Sequence, residues 1–407
     1  MRRVALALLL TTTPAIAQVQ GPPLTLDAAI EMARRSSPSA AAASASVDAA
    51  AAGRRVAGLR PNPTVAVDVE NVGGSRAFNI VEAPKQTVSL AYPLELGGKR
   101  SARIGVADAL GARAAVDRAT VDAELRLGVT QAYTDALAAD RRIATAGEQA
   151  RIAADGFRVA QIRVQAGRAS PLEESRAGVI RTNADLAVEQ ATRLATAARA
   201  NLALRIGNPA SGPLDSAWFD QIEDSAARPG SGALAVAAAR GDVTTASAQE
   251  RFARSQRIPD VTVSAGVRRV PMVGSTAAVL GLSVPLPLFN GGRAAIDQAS
   301  AERGRAEALA QAAELEANGA IIKAEAERDN AASAARVANG PALAGAQEAA
   351  RIARIGYREG KFGQLDLLEA ERALAETRNA AIDALASYHD AQARLDRLAA
   401  PYDGAKN

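Results

Sequence analysis

The segment Pro63-Thr64-Val65-Ala66-Val67 recurs 196 residues later as Pro259-Asp260-Val261-Thr262-Val263. Likewise, Gly97-Gly98-Lys99 recurs 194 residues later as Gly291-Gly292-Arg293. Matching segments in the same order, at a nearly constant offset, indicate a tandem duplication of about 195 residues. The chain therefore divides into a first structural repeat at 18–230, a second at 231–400 and a C-terminal tail at 401–407.

Each repeat contains two segments in which apolar and polar residues alternate. We predict strands at 64–72, 86–96, 260–270 and 277–288. In 86–96, for example, Val88 and Leu90 share one face, and Thr87 and Ser89 share the other. The lengths suit tilted strands that cross a bilayer. A half-buried soluble sheet alternates in the same way and is the alternative interpretation.

The remaining sequence is rich in Ala, Leu, Glu and Arg, which is typical of helices. We predict helices at 26–60, 99–166, 171–206, 233–257, 293–358 and 364–399. The 68 residues of 99–166 would span about 100 Å. Two shorter helices of the same repeat, stacked end to end, would match that length. A kink or break is expected at Gly340-Pro341. A fibrous coiled coil is the alternative, but it would not use the strand pairs.

Composition excludes most catalytic and metal chemistry. The chain has no Cys, one His and 3% aromatic residues, so thiolate sites and two-His zinc sites are impossible. We expect no enzyme activity, no catalytic residue, no cofactor and no metal site, and we interpret His389 as a helix surface residue. Basic residues are interspersed with acids, which argues against nucleic acid as a partner.

The N-terminus has the pattern of a secretory signal. Arg2 and Arg3 precede a short apolar run, and Ala15-Ile16-Ala17 matches a cleavage site. We therefore predict a signal peptide at 1–17. Beyond it no apolar stretch is long enough for a membrane helix. Four strands are also too few to close a barrel, so strands placed in a membrane require several chains to share one barrel.

A motif near the C-terminus resembles a known family. Tyr357-Arg358-Glu359-Gly360, followed by Leu365-Asp366-Leu367-Leu368-Glu369-Ala370-Glu371, is similar to the Y-x-x-G…L-D-L-L-[DE]-A pattern of TolC-type outer-membrane efflux proteins. Segment 94–100 and the later Pro285-Leu286-Pro287 are most similar to the cobalt–zinc–cadmium (heavy-metal) branch. The resemblance covers essentially the whole mature chain.

This resemblance implies a mainly α fold with membrane β: duplicated long α-helical hairpins plus four transmembrane strands per chain, in a trimeric α/β barrel. It places a homotrimer in outer membrane lipid, with a long helical barrel in the periplasm. A periplasmic adaptor (membrane fusion protein) and an inner-membrane resistance-nodulation-division pump would be its partners. The function implied is a passive duct of a tripartite efflux system that exports solutes, with divalent heavy-metal cations as the candidate substrate. A soluble periplasmic coiled-coil adaptor or spacer is the alternative.

The candidate functional residues lie at the turns between long helices. By resemblance, Asp366 and Glu369 occupy the pore constriction, and Glu173 and Glu174 lie at the equivalent tip of the first repeat. Tyr357 is the candidate gate contact, while Phe362 stands where a polar latch residue is common. The predicted adaptor-docking tips are Gly167, Arg168, Gly360 and Lys361. The predicted strand–helix junctions are Pro61, Pro63, Pro93, Gly97, Gly98, Pro259, Pro285, Gly291 and Gly292.

Overall fold

The computed structural model of the protein describes residues 23–71, 84–208, 212–223, 233–271 and 274–402. The predicted signal peptide, the junction between the repeats around 230 and most of the C-terminal tail lie outside the described residues. Within them, the protein is mainly helical with one small sheet. No helix of the described ranges is both long enough and apolar enough to span a membrane.

Both repeats follow the same order of elements: helix, strand pair, long helix, helix. The first repeat comprises α1 (Leu26–Ser36), α2 (Pro38–Ala57), β1 (Thr64–Glu70), β2 (Lys85–Leu94), α3 (Lys99–Gln165) and α4 (Pro171–Ile206). The second comprises α5 (Leu234–Ser255), β3 (Val261–Val270), β4 (Ser275–Ser283), α6 (Arg293–Val337), α7 (Leu343–Arg358) and α8 (Gln364–Leu398).

The prediction of one helix over 26–60 is wrong, because the chain breaks between α1 and α2. Ser37 is extended (φ −72°, ψ 121°), and its side chain accepts a hydrogen bond from the amide of Ala40 at 3.3 Å. Pro38 disfavours helical geometry at the preceding residue and takes the first position of α2. The sequence signal was therefore present, but it marks the start of a helix.

The fourth strand is shorter than predicted. It ends at Ser283, whereas the alternating pattern continues to Leu288. Pro285 and Pro287 have no amide donors, so each removes a hydrogen bond that would extend the ladder. All other strand ends lie within two residues of the predicted ends. The same holds for the ends of the helices, apart from the two divided helices at 26–60 and 293–358.

The long helix of the second repeat is kinked at the predicted position. A π-helical turn, Ala338–Ala342, joins α6 to α7. Gly340 has non-helical dihedrals (φ −103°, ψ −105°), and Pro341 provides no amide for the helical ladder. By contrast, α3 continues without interruption for 67 residues. The two repeats thus differ in this helix, and they differ also at their first helix, which is divided only in the first repeat.

The four strands form one antiparallel sheet in the order β1-β2-β3-β4. The register aligns Val67 with Val88 and Val88 with Val267, so the apolar residues of all strands share one face. That face is exposed in the single chain. Because β2 pairs directly with β3, the sheet joins the two repeats.

Helix α3 is the central element of the helical part. Helices α2 and α5 pack against it toward the sheet, and α4 and α8 pack against it toward the other end. The end of α1 meets the end of α4, where the Ser36 hydroxyl donates to the carbonyl of Ile206 at 3.0 Å. Two shorter helices therefore stack end to end along α3. The main core lies at this level and includes Tyr133 and Tyr388.

Candidate gate and docking tips

The turn between α3 and α4 is built around a left-handed glycine. Gly167 has φ +66°, a conformation that favours glycine. The amide of Arg168 donates to the carbonyl of Arg163 at 2.8 Å, which closes the helix end. Ser170 then caps α4 by accepting from the amide of Leu172 at 3.3 Å. The predicted tip is thus a tight helical turn with Arg168 exposed.

The turn between α7 and α8 repeats this design. Gly360 has φ +72°, and the amide of Lys361 donates to the carbonyl of Gly356 at 2.8 Å. Here an acidic residue provides the cap, because Oδ2 of Asp366 accepts from the amide of Gly363 at 2.9 Å. Asp366 therefore stabilises its own helix in addition to any role in the pore. Lys361 pairs with Glu359 at 2.7 Å.

One side chain links the two turns. Nη1 of Arg163 lies 3.0 Å from Oε1 of Glu173 in the same turn, and it donates to the Tyr357 hydroxyl at 3.4 Å. The candidate gate residue Tyr357 therefore contacts the first repeat through Arg163. Sequence reasoning missed Arg163, because its counterpart in the second repeat, 193 residues later, is Gly356.

The aromatic residue at position 362 packs within its own turn. Its ring lies over Gly356, where the Cβ of any larger residue would overlap the ring. Gly356 is buried, and Phe362 is partly exposed. Position 362, where the resemblance led us to expect a polar latch residue, therefore makes an apolar contact in this chain.

An ion pair with a buried carboxylate lies behind this tip, between α7 and α8. Glu371 of α8 is 3% exposed, and both of its oxygens bind the guanidinium of Arg354 on α7, one of them at 2.7 Å. The hydrogen bond to Glu371 raises the pKa of Arg354 above its ordinary value. The pair joins α7 to α8, which also pack against each other.

The four candidate pore carboxylates lie in the first turns of α4 and α8. Glu173 is paired with Arg163, and Glu174 accepts from Gln161 at 3.2 Å. Asp366 and Glu369 are exposed. The same helix starts line one apolar groove, with Leu172 and Leu365 among its walls. The structure thus brings both helix starts to one end of the molecule.

The predicted junction residues lie where strands meet helices, and one contact crosses between repeats. Nζ of the buried Lys99 lies 2.7 Å from Oδ1 of Asp260, which also accepts from the amide of Leu96 at 3.1 Å. Gly97, Gly98 and Gly292 have positive φ, whereas Gly291 does not. Asp260 belongs to the repeated segment 259–263, but the sequence did not predict its contact with Lys99.

The comparisons with known proteins agree with this architecture. The sequence profile of the family described as "Outer membrane efflux protein" matches residues 29–208 and 230–400. The chain is 32% identical over 384 residues to the cobalt-zinc-cadmium resistance protein CzcC of Cupriavidus metallidurans. This alignment covers 92% of this chain and 90% of CzcC. It is 30% identical to the nickel-cobalt-cadmium resistance protein NccC of Alcaligenes xylosoxydans xylosoxydans, covering 78% of this chain and 72% of NccC.

A solved structure shares the fold. The outer membrane protein VceC of Vibrio cholerae superposes with a TM-score of 0.73 at 21% identity, covering 92% of this chain and 96% of that chain. The chain therefore belongs to the outer membrane efflux protein family, and the predicted resemblance to its heavy-metal branch is confirmed. It is an outer-membrane channel of a tripartite efflux system and not a periplasmic adaptor. Its family is one of transport proteins.

Proposed function

We propose that three copies of this chain form one passive duct, with a twelve-stranded barrel in the outer membrane and a helical barrel in the periplasm. A periplasmic adaptor (membrane fusion protein) and an inner-membrane resistance-nodulation-division pump supply it with solutes. The duct needs no cofactor and catalyses no reaction. The observation that carries this proposal is an unequal burial of two equivalent helices.

Helices α2 and α5 hold equivalent positions in the two repeats, but their surroundings differ. Helix α5 lies between α3 and α6, and its buried residues include Val236 and Ala248. Helix α2 packs on α3, and none of its residues is buried. A neighbouring copy whose α6 packed against α2 would give α2 the environment that α5 already has.

The free surface of α6 has the chemistry for such a contact. Leu315 and Ile322 are spaced seven residues apart and are 74% and 67% exposed. On α2, Val56 is 66% exposed. Seven-residue spacing places side chains on one side of a helix, as in helix–helix seams. These side chains therefore suit burial against a second copy.

The sheet supports the same assembly. Within the part of the chain that the structure describes, β1 and β4 each pair on one side only. Unpaired strand edges in lipid leave amides and carbonyls without partners, which costs several kcal/mol per group. Pairing β4 of one copy with β1 of the next would satisfy both edges. The number of three copies comes from the family.

Charge on α6 is expected to prevent assembly without unfolding the chain. Replacing Leu315 and Ile322 together by Asp should convert the trimer in detergent into monomer, because both side chains are exposed in the single chain but buried in the proposed contact. Light-scattering mass and circular dichroism check this result. The control is Lys323→Gln, on the neighbouring face of α6, which should stay trimeric. A double variant that remains trimeric would contradict the packing.

The exported solute is proposed to be a divalent heavy-metal cation. The names of two relatives record resistance to cobalt, zinc and cadmium, and to nickel, cobalt and cadmium. Three copies of Asp366 and Glu369 would place six carboxylates around the narrow periplasmic mouth, with Glu173 and Glu174 nearby. Such a ring attracts cations and repels anions. The exposed Gly167–Arg168 and Gly360–Lys361 turns are the proposed adaptor contacts.

Neutralising the ring is expected to weaken cation block and cation selectivity. In Asp366→Asn combined with Glu369→Gln, asparagine still accepts the Gly363 amide, so the helix cap survives while six charges per trimer disappear. Single-channel recording should show a several-fold weaker block by divalent cations. Glu359→Gln removes a charge from the same turn outside α8 and is the control. Equal block in all three proteins would rule out this constriction.

A further inference from the structure

The segment 212–223, here called the strap, crosses the molecule at the level of the main core and contains a short 3-10 turn at Trp218–Asp220. The Tyr133 hydroxyl accepts from the amide of Asp215 at 3.0 Å, and the Tyr388 hydroxyl accepts from the amide of Glu223 at 2.9 Å. Arg199 donates to the carbonyl of Gly212 at 3.1 Å. The strap is therefore bound to α3, α4 and α8, and it ties the first repeat to the second.

The centre of the strap rests on the chain's single histidine. The His389 ring stacks on Trp218 with centroids 4.0 Å apart and an interplanar angle of 29°. Its Nε2 lies 2.9 Å from the carbonyl oxygen of Phe219. A carbonyl can only accept, so Nε2 carries the hydrogen and Nδ1 is the atom that would take up a proton. The side chain is 5% exposed, so its interpretation as a surface residue is wrong.

Burial disfavours an imidazolium here, while the charges around the ring act in both directions: the Asp220 carboxylate raises the pKa of His389 and Arg141 lowers it. Asp220, the nearest carboxylate on the strap, already forms two hydrogen bonds with Arg141, at 2.6 and 2.7 Å. Arg141 also lies over the Phe219 ring, 4.7 Å from its centroid. On α8, Asp390 pairs with Arg394. The other charged residues that line the adjoining cavity are Arg34, Asp122, Arg126, Glu223, Asp396 and Arg397.

Several of these cavity charges are also engaged. Arg34 pairs with Asp122 at 2.6 Å, and Arg397 pairs with Glu124 at 2.9 Å. Arg126 lies 3.5 Å from Asp27, and Asp396 accepts from Gln392 at 2.9 Å. Among the described residues, no carboxylate oxygen lies within ion-pair distance of the His389 ring. A proton on Nδ1 would thus create a buried charge without a counter-ion, beside Arg141.

We propose that the His389–Trp218 contact is a proton-sensitive clasp, which holds the strap to α8 at neutral pH and releases it in acid. Burial lowers the pKa of His389 below its ordinary value. The folded protein therefore binds fewer protons than the unfolded chain below about pH 6.5. The stability that the neutral ring contributes is present above that pH and is lost as the pH falls. Acid would loosen the connection that the strap makes between the repeats.

The sequence offers an unusually clean test, because Trp218 is the only Trp and His389 the only His. We would titrate the tag-free full chain in detergent from pH 8 to 4 and measure acrylamide quenching of Trp218 fluorescence. The quenching constant is expected to rise several-fold, with a midpoint below 6.5. In His389→Gln the amide can still donate to the Phe219 carbonyl but does not titrate, so the curve should stay flat.

Two results would overturn the clasp: a flat curve for the wild-type protein, or the same rise in His389→Gln. If that variant does not fold, the wild-type protein still provides a test. The Cε1–H resonance of labelled His389 must then titrate below 6.5, together with the quenching. A His389 pKa at or above 6.5, or a quenching midpoint that does not follow it, would contradict the proposal. Neither measurement depends on transport, so failure of the duct would be seen separately.

Discussion

Gly97→Ala is expected to destabilise the folded protein by about 2–4 kcal/mol. Gly97 has φ +68°, where a residue with a side chain costs roughly 1–2 kcal/mol. Its Cβ would also lie 2.8 Å from Cβ of Ile258 and 2.9 Å from the carbonyl oxygen of Ser255. Both neighbours belong to the second repeat, so the clash would separate the repeats where helix meets strand.

The repeat provides the matched control for this substitution. Gly291 is the counterpart of Gly97, has no positive φ and has nothing within 4 Å of its Cβ position. Gly291→Ala should therefore change the free energy of unfolding by less than about 1 kcal/mol. Urea unfolding of both variants, with the yield of folded protein in detergent, makes the comparison. Equal stability of the two variants would contradict the close approach at Gly97.

Arg354→Met is expected to cost about 2–4 kcal/mol. The substitution leaves the 3% exposed Glu371 carboxylate buried and unpaired, and truncating one partner of a buried pair typically costs 3–5 kcal/mol. We expect less than the full range because the Arg354 side chain is 42% exposed. Replacing Glu371 by Leu in the same chain should recover most of the loss, because the unpaired charge is then gone.

A double-mutant cycle in urea measures this coupling. Arg351 is the control, since it pairs with Glu348 on the same helix and both side chains are more than half exposed (59% and 54%). Arg351→Met should cost less than about 1 kcal/mol. If Arg351→Met and Arg354→Met destabilise the protein equally, the buried pair does not hold α7 to α8.

The periodic features of this fold could be predicted from sequence because they follow from backbone geometry. Alternation in 86–96 identified the face that carries Val88 and Leu90, and the register of the sheet aligns that face across all four strands. Helix ends followed from Gly and Pro at the turns. The break before Pro38 was missed because the Ala-rich pattern continues on both sides of it.

Contacts between repeats could not be predicted, because sequence spacing does not record which side chains meet. Lys99 and Asp260 are 161 residues apart, and Arg163 and Tyr357 are 194 apart. His389 lies in a polar stretch of α8, so its sequence context predicts an exposed side chain. It is buried because the strap packs over it, which the sequence does not indicate. The roles of the candidate pore and docking residues stay predictions, although their place at the two turns is now defined.

The most direct test of the duct is single-channel recording of the purified protein, without residues 1–17, in a planar lipid bilayer. Three copies that share one barrel should give uniform conductance steps and a preference for cations over anions. Variants that remain monomeric, such as the Leu315 and Ile322 double variant, should give no steps. Absence of steps from the wild-type protein, together with a soluble monomer in the absence of detergent, would contradict the account.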